Sequence, residues 1–319
     1  MKILMTGATG FIGKELGLDL VRQGHEILVV TRDRDKAREE DLFTCEVIEG
    51  DLMKEPIFHH ALRDVEAVIH LMGESVAGGR WSEERKNRIL LSRTLGTRNL
   101  IRSLRDSGNG YWKVFLSASA VGYYGDRDDE ELHEQSGPGD DFLAQVCVEW
   151  EKEVFSARSE IPHLRVAAFR QGLVLGSKGG ALAKMIPAFR LGMGGPLADG
   201  EQWVSWIHLT DVIRLYSWAL KTTEASGIYN AVAPNPVRNH DFAQALAGAL
   251  GKGLGPRIPR FALKFALGEM SEALLDSQKV RPRRLLEAGF SFCYPDIEEA
   301  LLEAASLSQE EAPRRRSIS

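Results

Sequence analysis

The stretch KILMTGATGFIG, residues 2 to 13, constrains this chain more than any other. A short apolar, strand-like run enters a turn with glycines at 7, 10 and 13, and an amphipathic helical pattern follows at once. Glycine lets the backbone turn tightly, lets it approach a ligand closely and lets a helix lie against the strand before it. The first turn of the helix presents unpaired N–H groups and positive potential, a natural seat for a pyrophosphate. A glycine turn alone would serve equally as a structural corner, but a strand before it and a helix after it make dinucleotide binding the expectation. Gly7, Thr9, Gly10, Phe11, Ile12 and Gly13 are the first candidate cofactor residues.

The runs EILVVTR, CEVIEGD, VEAVIHLMG, KVFLSAS and LRVAAFRQGLVLG repeat the strand pattern, and longer helical segments such as 82–107 lie between them. This alternation predicts parallel strands joined by right-handed crossovers: an α/β chain with a doubly wound Rossmann sheet covered on both faces. After Gly176 the rhythm breaks at a Gly-rich stretch, 192–200, followed by the strand and helix WVSWIHLTDVIRLYSWAL and the strand GIYNAVAP. From about Asn239 the pattern is mostly helical, with FAQALAGAL, FALKFALGEMSEALL and PDIEEALLEAA separated by Gly and Pro. The expected division is 1–176 plus 203–232 as the dinucleotide-binding domain and 177–202 plus 233–305 as a smaller, mainly helical substrate lobe. Residues 306–319 lack apolar periodicity and read as a disordered tail.

With 40 basic and 45 acidic side chains, a formal charge of -5 and the basic residues scattered, the chain lacks the electropositive surface that nucleic acid requires. Cys45, Cys147 and Cys293 are three and far apart, which fits neither a disulfide framework nor a clustered metal site, so a reducing compartment is expected and no metal. The chain begins directly on a strand, with no apolar run long enough for a membrane span; the expectation is a cytoplasmic protein with no membrane partner.

The end of the second strand bears on which dinucleotide. An acidic side chain there would accept from a ribose 2'-hydroxyl and repel a 2'-phosphate, whereas VVTRDRDK places Thr31 and Arg32 at that point. A guanidinium can clamp phosphate with two parallel hydrogen bonds, so NADP(H) is expected over NAD(H); the competing reading is a solvated loop, with Asp33 next door. Asp51 and Leu52 close the third strand and are placed to flank an adenine; Leu71, Met72 and Gly73 close the fourth and are placed to line the cofactor.

TGATGFIG, GDL, HLMG, SASAVGYYG and WIHLTD occur in an order and spacing that resembles the extended short-chain dehydrogenase/reductase superfamily. HLMGESVAGGRW, RQGLVLGSKGGAL, FRLGMGGPLADGEQWVSWIHLTD and SQKVRPRRLLEAGFSFCYPD narrow the resemblance to its atypical branch of epimerase family proteins, which are like NAD-dependent epimerases/dehydratases and end in a small domain of unknown function. The resemblance extends to about residue 305 and implies an oxidoreductase or epimerase acting on a small carbonyl, hydroxyl or nucleotide-sugar-like compound. A homodimer built on two long helices is common in the superfamily, but the periodicity here singles out no such faces.

The superfamily moves a proton with a Tyr whose phenol is acidified by a Lys one helical turn later. The matching positions here are Leu143 and Cys147, with Glu151 a turn beyond, and Arg93 stands where the resemblance expects Asn. Ser119 alone of that tetrad is present. Tyr123 and Tyr124 follow it and are the alternative phenols; both could instead pack against the substrate lobe. Cys147 is either a reactive thiol or, on the stripe Leu143, Val146, Trp150 and Val154, a small core residue, and the second reading is favoured. His70 and His208 are further proton carriers or local hydrogen-bonding residues. Arg88 and Arg93 share a helix face and are candidate cofactor contacts, while Arg85, Lys86 and Arg98 read as solvent-facing. Val174 is expected at the nicotinamide end, and Gln202, Trp203, Trp206 and His208 beside the substrate, with the tryptophans balanced against a role in the lobe interface. The competing functional reading is a catalytically silent NADP(H)-binding sensor or scaffold.

Overall fold

Strands rich in valine, isoleucine and leucine at successive positions can be buried only inside a sheet covered on two faces. A computed structural model describes residues 1–39, 44–107 and 112–310 of the chain. The first part runs β1 (Lys2–Thr6), α1 (Phe11–Arg22), β2 (Glu26–Thr31), α2 (Arg34–Glu39), β3 (Glu46–Glu49) and β4 (Ala67–His70). It continues through α3 (Glu83–Ser107), β5 (Val114–Ala120), β6 (Glu131–Leu132), α4 (Phe142–Glu160) and β7 (Arg165–Gln171). Then come β8 (Leu173–Leu175), α5 (Gly180–Arg190), β9 (Trp203–Val204), β10 (Trp206–His208), α6 (Leu209–Lys221) and β11 (Gly227–Ala231). The rest is β12 (Val237–Arg238), α7 (Asn239–Ala249), α8 (Arg260–Leu267), α9 (Met270–Leu275), β13 (Lys279–Val280), α10 (Arg283–Glu287) and α11 (Ile297–Glu310).

Among the described residues seven strands form one parallel sheet in the order β11-β7-β5-β4-β1-β2-β3. Alternation along β1 sends Ile3 and Met5 into the core with Leu16 and Leu20 of α1 and Val212 and Leu215 of α6. Leu4 goes to the other side, with Leu100 and Leu104 of α3 and Val154 of α4. Each of these side chains is essentially fully buried, worth about 1.5–3 kcal/mol apiece. The strand order reverses between β1 and β4, and ligands of such sheets bind in the crevice that opens at the carboxyl ends there.

Two segments that read as single elements are divided. LRVAAFRQGLVLG becomes β7, which stays in the main sheet, and β8, which leaves it to pair with β10. The break falls at Gly172, where a Cβ would stand 2.5 Å from the Ser205 carbonyl oxygen, so only glycine lets the two chains cross so closely. FALKFALGEMSEALL splits into α8 and α9 at Gly268, whose φ of 63° ends a helix and disfavours other residues. α11 reaches Glu310, five residues into the span expected to be unstructured from residue 306; 311–319 of that expected tail lie outside the described residues.

The helical lobe has its own core of Leu182, Ile186, Phe189, Trp206, Phe242 and Leu246, with Ala300, Leu301 and Ala304 of α11 against α7. β13 pairs with β6, and the Gln278 N–H donates to the Trp203 carbonyl at 3.1 Å. These bonds draw the segment 276–280 across to the strand ends, where it closes a cleft.

Candidate functional site

The glycine turn stands at the β1/β4 crevice. Gly7 has φ 71°, and a Cβ there would lie 2.7 Å from the Leu71 carbonyl carbon and oxygen, so the turn rests directly on the end of β4. At Gly13 a Cβ would meet the Gly7 oxygen at 2.2 Å, which is how α1 seats on the turn. Gly10 caps α1 without a side-chain hydrogen bond. The first-turn N–H groups of Phe11, Ile12 and Gly13 have no partner within the helix, and this backbone cradle fits a pyrophosphate. Phe11 is wrapped by the loop after β8: Cβ atoms at Gly176, Gly179 and Gly180 would come 2.7, 2.6 and 3.1 Å from its ring. Sequence reasoning missed this contact, for which the doubled glycine in GSKGG is the legible signal.

Arg32 is exposed at the end of β2 and makes no ion pair or side-chain hydrogen bond with a described residue. Thr31 Oγ1 instead accepts from the Asp33 N–H at 3.3 Å and tightens the loop. Asp51 Oδ1 accepts from Met53 N–H at 3.0 Å, and the Leu52 side chain is buried in the core rather than turned outward. Met72 packs on Gly96 of α3, and the Arg93 guanidinium packs on Gly73. Arg88 is exposed and does not line the cleft described below, although it shares α3 with Arg93. Val174 packs against the core beneath α1 and α6.

Beside this crevice lies a cleft of about 330 Å³. Ala120 to Gly122 after β5, Leu143 and Cys147 of α4, Gln171 to Leu173, and Arg93 form one side of its lining; Trp203, Ser205, Asn239, Asp276 and Gln278 come from the substrate loop and the helical lobe. Asp141 caps α4 through a 2.9 Å bond from Ala144 N–H and fixes the turn that delivers Leu143. Arg93 donates to the carbonyls of Glu74 and Ile89 at 3.1 and 3.0 Å and lies over the Trp150 ring.

One helical turn beyond Cys147, Glu151 of α4 enters a buried ion pair. Arg170 of β7 donates through Nε and Nη2 to the two Glu151 oxygens, each at 2.8 Å, and Ser119 Oγ donates to Glu151 Oε1 at 2.7 Å. Burial alone would lower the Arg170 pKa, but the hydrogen bonds and charge of Glu151 outweigh it and hold the guanidinium above its ordinary value. Arg170 also stacks on Tyr123, 3.3 Å from the ring centre, and donates to the Tyr124 hydroxyl at 3.0 Å. Tyr124 is fully buried, donates to Asn230 Oδ1 at 2.7 Å, and burial pushes its phenol up to about 12. Ser119 and Tyr124 therefore commit their hydroxyls to this network and Tyr123 contributes its ring face, and none of the three is among the described residues of the cleft lining. Arg170 carries the network and was not anticipated from the sequence, because the contact joins a sheet strand to a helix.

Cys147 is buried, and burial together with Glu151 pushes its thiol up to about 12, in keeping with the favoured reading of a small core residue rather than a nucleophile. Other candidates fall elsewhere. His70 is clamped between Thr6 Oγ1 and Thr97 Oγ1 at 2.7 and 2.9 Å, and burial and Arg93 push it down to about 3; it is a neutral structural residue. His208 holds Glu303 at 2.7 Å, accepts from Thr210 N–H at the start of α6 and stacks on Tyr294. Trp206 is fully buried in the lobe core with its indole N–H on the Asn235 carbonyl, whereas Trp203 lines the cleft. Gln202 lies behind it, its Oε1 buried without a hydrogen bond from a described residue. Arg85 and Lys86 are not solvent-facing: Arg85 folds back onto the Ser75 carbonyl at 2.5 Å, and Lys86 binds Glu269 of the helical lobe at 2.9 Å. Arg98 stays half-exposed and pairs with Glu153. Among the described residues no group of acidic, His or Cys side chains could hold a metal, and no helix is long and apolar enough to cross a membrane.

A parallel sheet with a glycine turn at its reversal point and a cleft at its strand ends defines an α/β protein of the extended short-chain dehydrogenase/reductase type. The chain belongs to the NAD dependent epimerase/dehydratase family, which matches residues 3–231, and residues 258–304 match a domain of unknown function, DUF1731. It is 40% identical over 303 residues to the epimerase family protein SDR39U1 homolog, chloroplastic, of Arabidopsis thaliana, covering 94% of this chain and 86% of that one. It is 34% identical to the epimerase family protein YfhF of Bacillus subtilis, covering 94% and 97%. Among solved structures it is similar to human SDR39U1 (isoform 2) with NADPH: TM-score 0.84, 32% identity, 96% and 99% covered.

Proposed function

We propose that the chain binds NADP(H) across the β1/β4 crevice and interconverts a small, largely apolar carbonyl compound and its alcohol in the adjoining cleft. The glycine turn and the start of α1 hold the pyrophosphate, and Arg32, free of protein partners among the described residues, takes the 2'-phosphate. The NADPH in the solved human relative, 32% identical, supports the choice of cofactor. The bound nicotinamide supplies or accepts hydride; Leu143, Cys147 and Leu173 wall the cleft and keep water from the reacting carbon.

The observation that carries the choice of substrate is the cleft itself. At about 330 Å³ it must receive the nicotinamide as well as the substrate, and among its described lining residues the charged groups are Arg93 and Asp276. A nucleotide sugar brings two phosphates that need cations and a longer groove, so a small carbonyl fits better. The test is a screen of small aldehydes, ketones and quinones for substrate-dependent loss of NADPH absorbance, with nucleotide sugars as the second panel. Turnover in the first panel supports the reading; turnover confined to the second overturns it. Tight NADPH binding with silence in both would favour the sensor reading, toward which Leu143 and Cys147 at the Tyr and Lys positions point.

A further inference from the structure

With the phenol and ammonium gone, a proton must still reach the carbonyl oxygen. The polar side chains of the cleft can be taken in turn. Arg93 keeps its charge at any working pH and is tied to two backbone carbonyls. Cys147 is a buried thiol. Gln171 donates to the Tyr216 hydroxyl at 3.2 Å, and Gln278 to the Gly125 carbonyl at 3.3 Å. Ser205 Oγ donates to the Gln278 carbonyl at 2.6 Å and accepts from Val280 N–H, while Asn239 Oδ1 accepts from Leu197 N–H at 2.8 Å. Asp276 differs: it is part-buried in the lining, and its carboxylate has neither a hydrogen bond nor an ion pair with a described residue.

Its backbone, by contrast, is held firmly. The Asp276 N–H closes α9 on the Glu272 carbonyl at 3.0 Å. The next residue, Ser277, is bonded on three sides: its N–H to Asp126 Oδ1, its hydroxyl to the Asp128 carbonyl and to the Trp203 N–H. A carboxyl group without partners among the described residues, on a rigid support and lining an apolar cavity, has the disposition of a general acid and base.

We propose that Asp276 carries the proton of the reaction, in place of the absent tyrosine. This rests on the reduction proposed above. On reduction the carbonyl carbon gains the hydride, the C=O π pair moves onto oxygen, and the Asp276 O–H bond breaks as the alcohol O–H forms. The carboxylate left behind is recharged from water at the cleft mouth; oxidation runs the same path backward. The charged groups acting on Asp276 are Asp141 at the start of α4, Asp126 after β5 and Glu272 on α9, all acidic; Arg93 lines the same cleft. Burial first, then these three carboxylates, push Asp276 up to about 7, where it can hold or release a proton at neutral pH.

The test is Asp276→Asn, which keeps the shape and removes the transferable proton. Expected are unchanged NADPH affinity by fluorescence titration and a loss of about a hundredfold or more in single-turnover reduction. Wild-type reduction is expected to fall as pH rises through about 7, and the variant to be flat there. A readout independent of turnover is carboxyl-carbon NMR: one aspartate resonance titrating near neutral pH in wild type and missing from the variant. A variant reducing within threefold of wild type, or an Asp276 resonance titrating in the ordinary carboxylate range, would overturn the assignment while leaving the proposed reduction standing. A wild type that reduces no carbonyl would overturn both.

Discussion

The buried Glu151–Arg170 pair offers the sharpest test of how the site is built. Glu151 accepts three hydrogen bonds, at 2.7, 2.8 and 2.8 Å, and the side chains are only 9% and 3% exposed. Glu151→Met removes the carboxylate and strands a guanidinium whose remaining side-chain hydrogen-bond partner is the Tyr124 hydroxyl, with the Tyr123 ring stacked on it. Breaking such a pair from one side costs about 3–5 kcal/mol, because the surviving charge has lost both water and its counter-ion. At about 2–4 °C per kcal/mol in a domain of this order of size, the thermal midpoint is expected to drop by about 6–20 °C. The double variant Glu151→Met, Arg170→Met replaces both charges with side chains of similar reach and is expected to recover most of that loss. Denaturant and thermal unfolding of wild type, the single variants Glu151→Met and Arg170→Met, and the double variant read this directly. A single variant within about 1 kcal/mol of wild type, or a double variant no better than the single, would refute the claim that the pair is held by mutual compensation. Salt is expected to matter little, since ions do not reach between buried partners.

Three further outcomes follow from the same geometry. Arg32→Glu is expected to weaken NADPH binding by about 1–3 kcal/mol and NADH far less, as for a charge-assisted contact to the 2'-phosphate; equal losses in calorimetry would rule out that contact. A thiol reagent is expected to label exposed Cys293 rapidly and Cys147 only on unfolding, and prompt native-state modification of Cys147 would show that its burial is misjudged. Because Asp276 is pushed up on folding, the folded state binds its proton more tightly than the unfolded chain between about pH 4 and about pH 7, so stability falls as pH rises through that window. Asp276→Asn is then expected to raise the thermal midpoint at pH 8 relative to wild type and not at pH 4; an equal change at both would mean that charge is not the cause.

Much of the frame was legible because it depends on neighbours in sequence. The spacing of glycines 7, 10 and 13, the strand before them and the helix after them are local, and both the turn and the alternation of strand and helix follow from such repeats. The position of Arg32 just past β2 was legible for the same reason, since that strand end follows from the strand pattern alone. Phe11 illustrates the limit: its place in the turn was clear, but the GSKGG loop around it arrives from more than 160 positions away.

Sequence by itself determined that this chain forms a doubly wound α/β sheet, that a backbone cradle opens its first crossover, and that Leu143 and Cys147 stand where a phenol and an amine were expected. Only the tertiary structure decided what each polar group is free to do. Ser119 and Tyr124 keep their chemistry in the sequence but spend their hydrogen bonds on Glu151, Arg170 and Asn230. His70 and His208 spend theirs on Thr6, Thr97 and Glu303. Asp276, an ordinary aspartate after a short helix, has no ion pair among the described residues and lies beside three like charges in an apolar cleft. The physical reason is that a side chain's reactivity is set by desolvation, neighbouring charge and hydrogen-bond satisfaction. All three come from residues that folding brings together from distant parts of the chain.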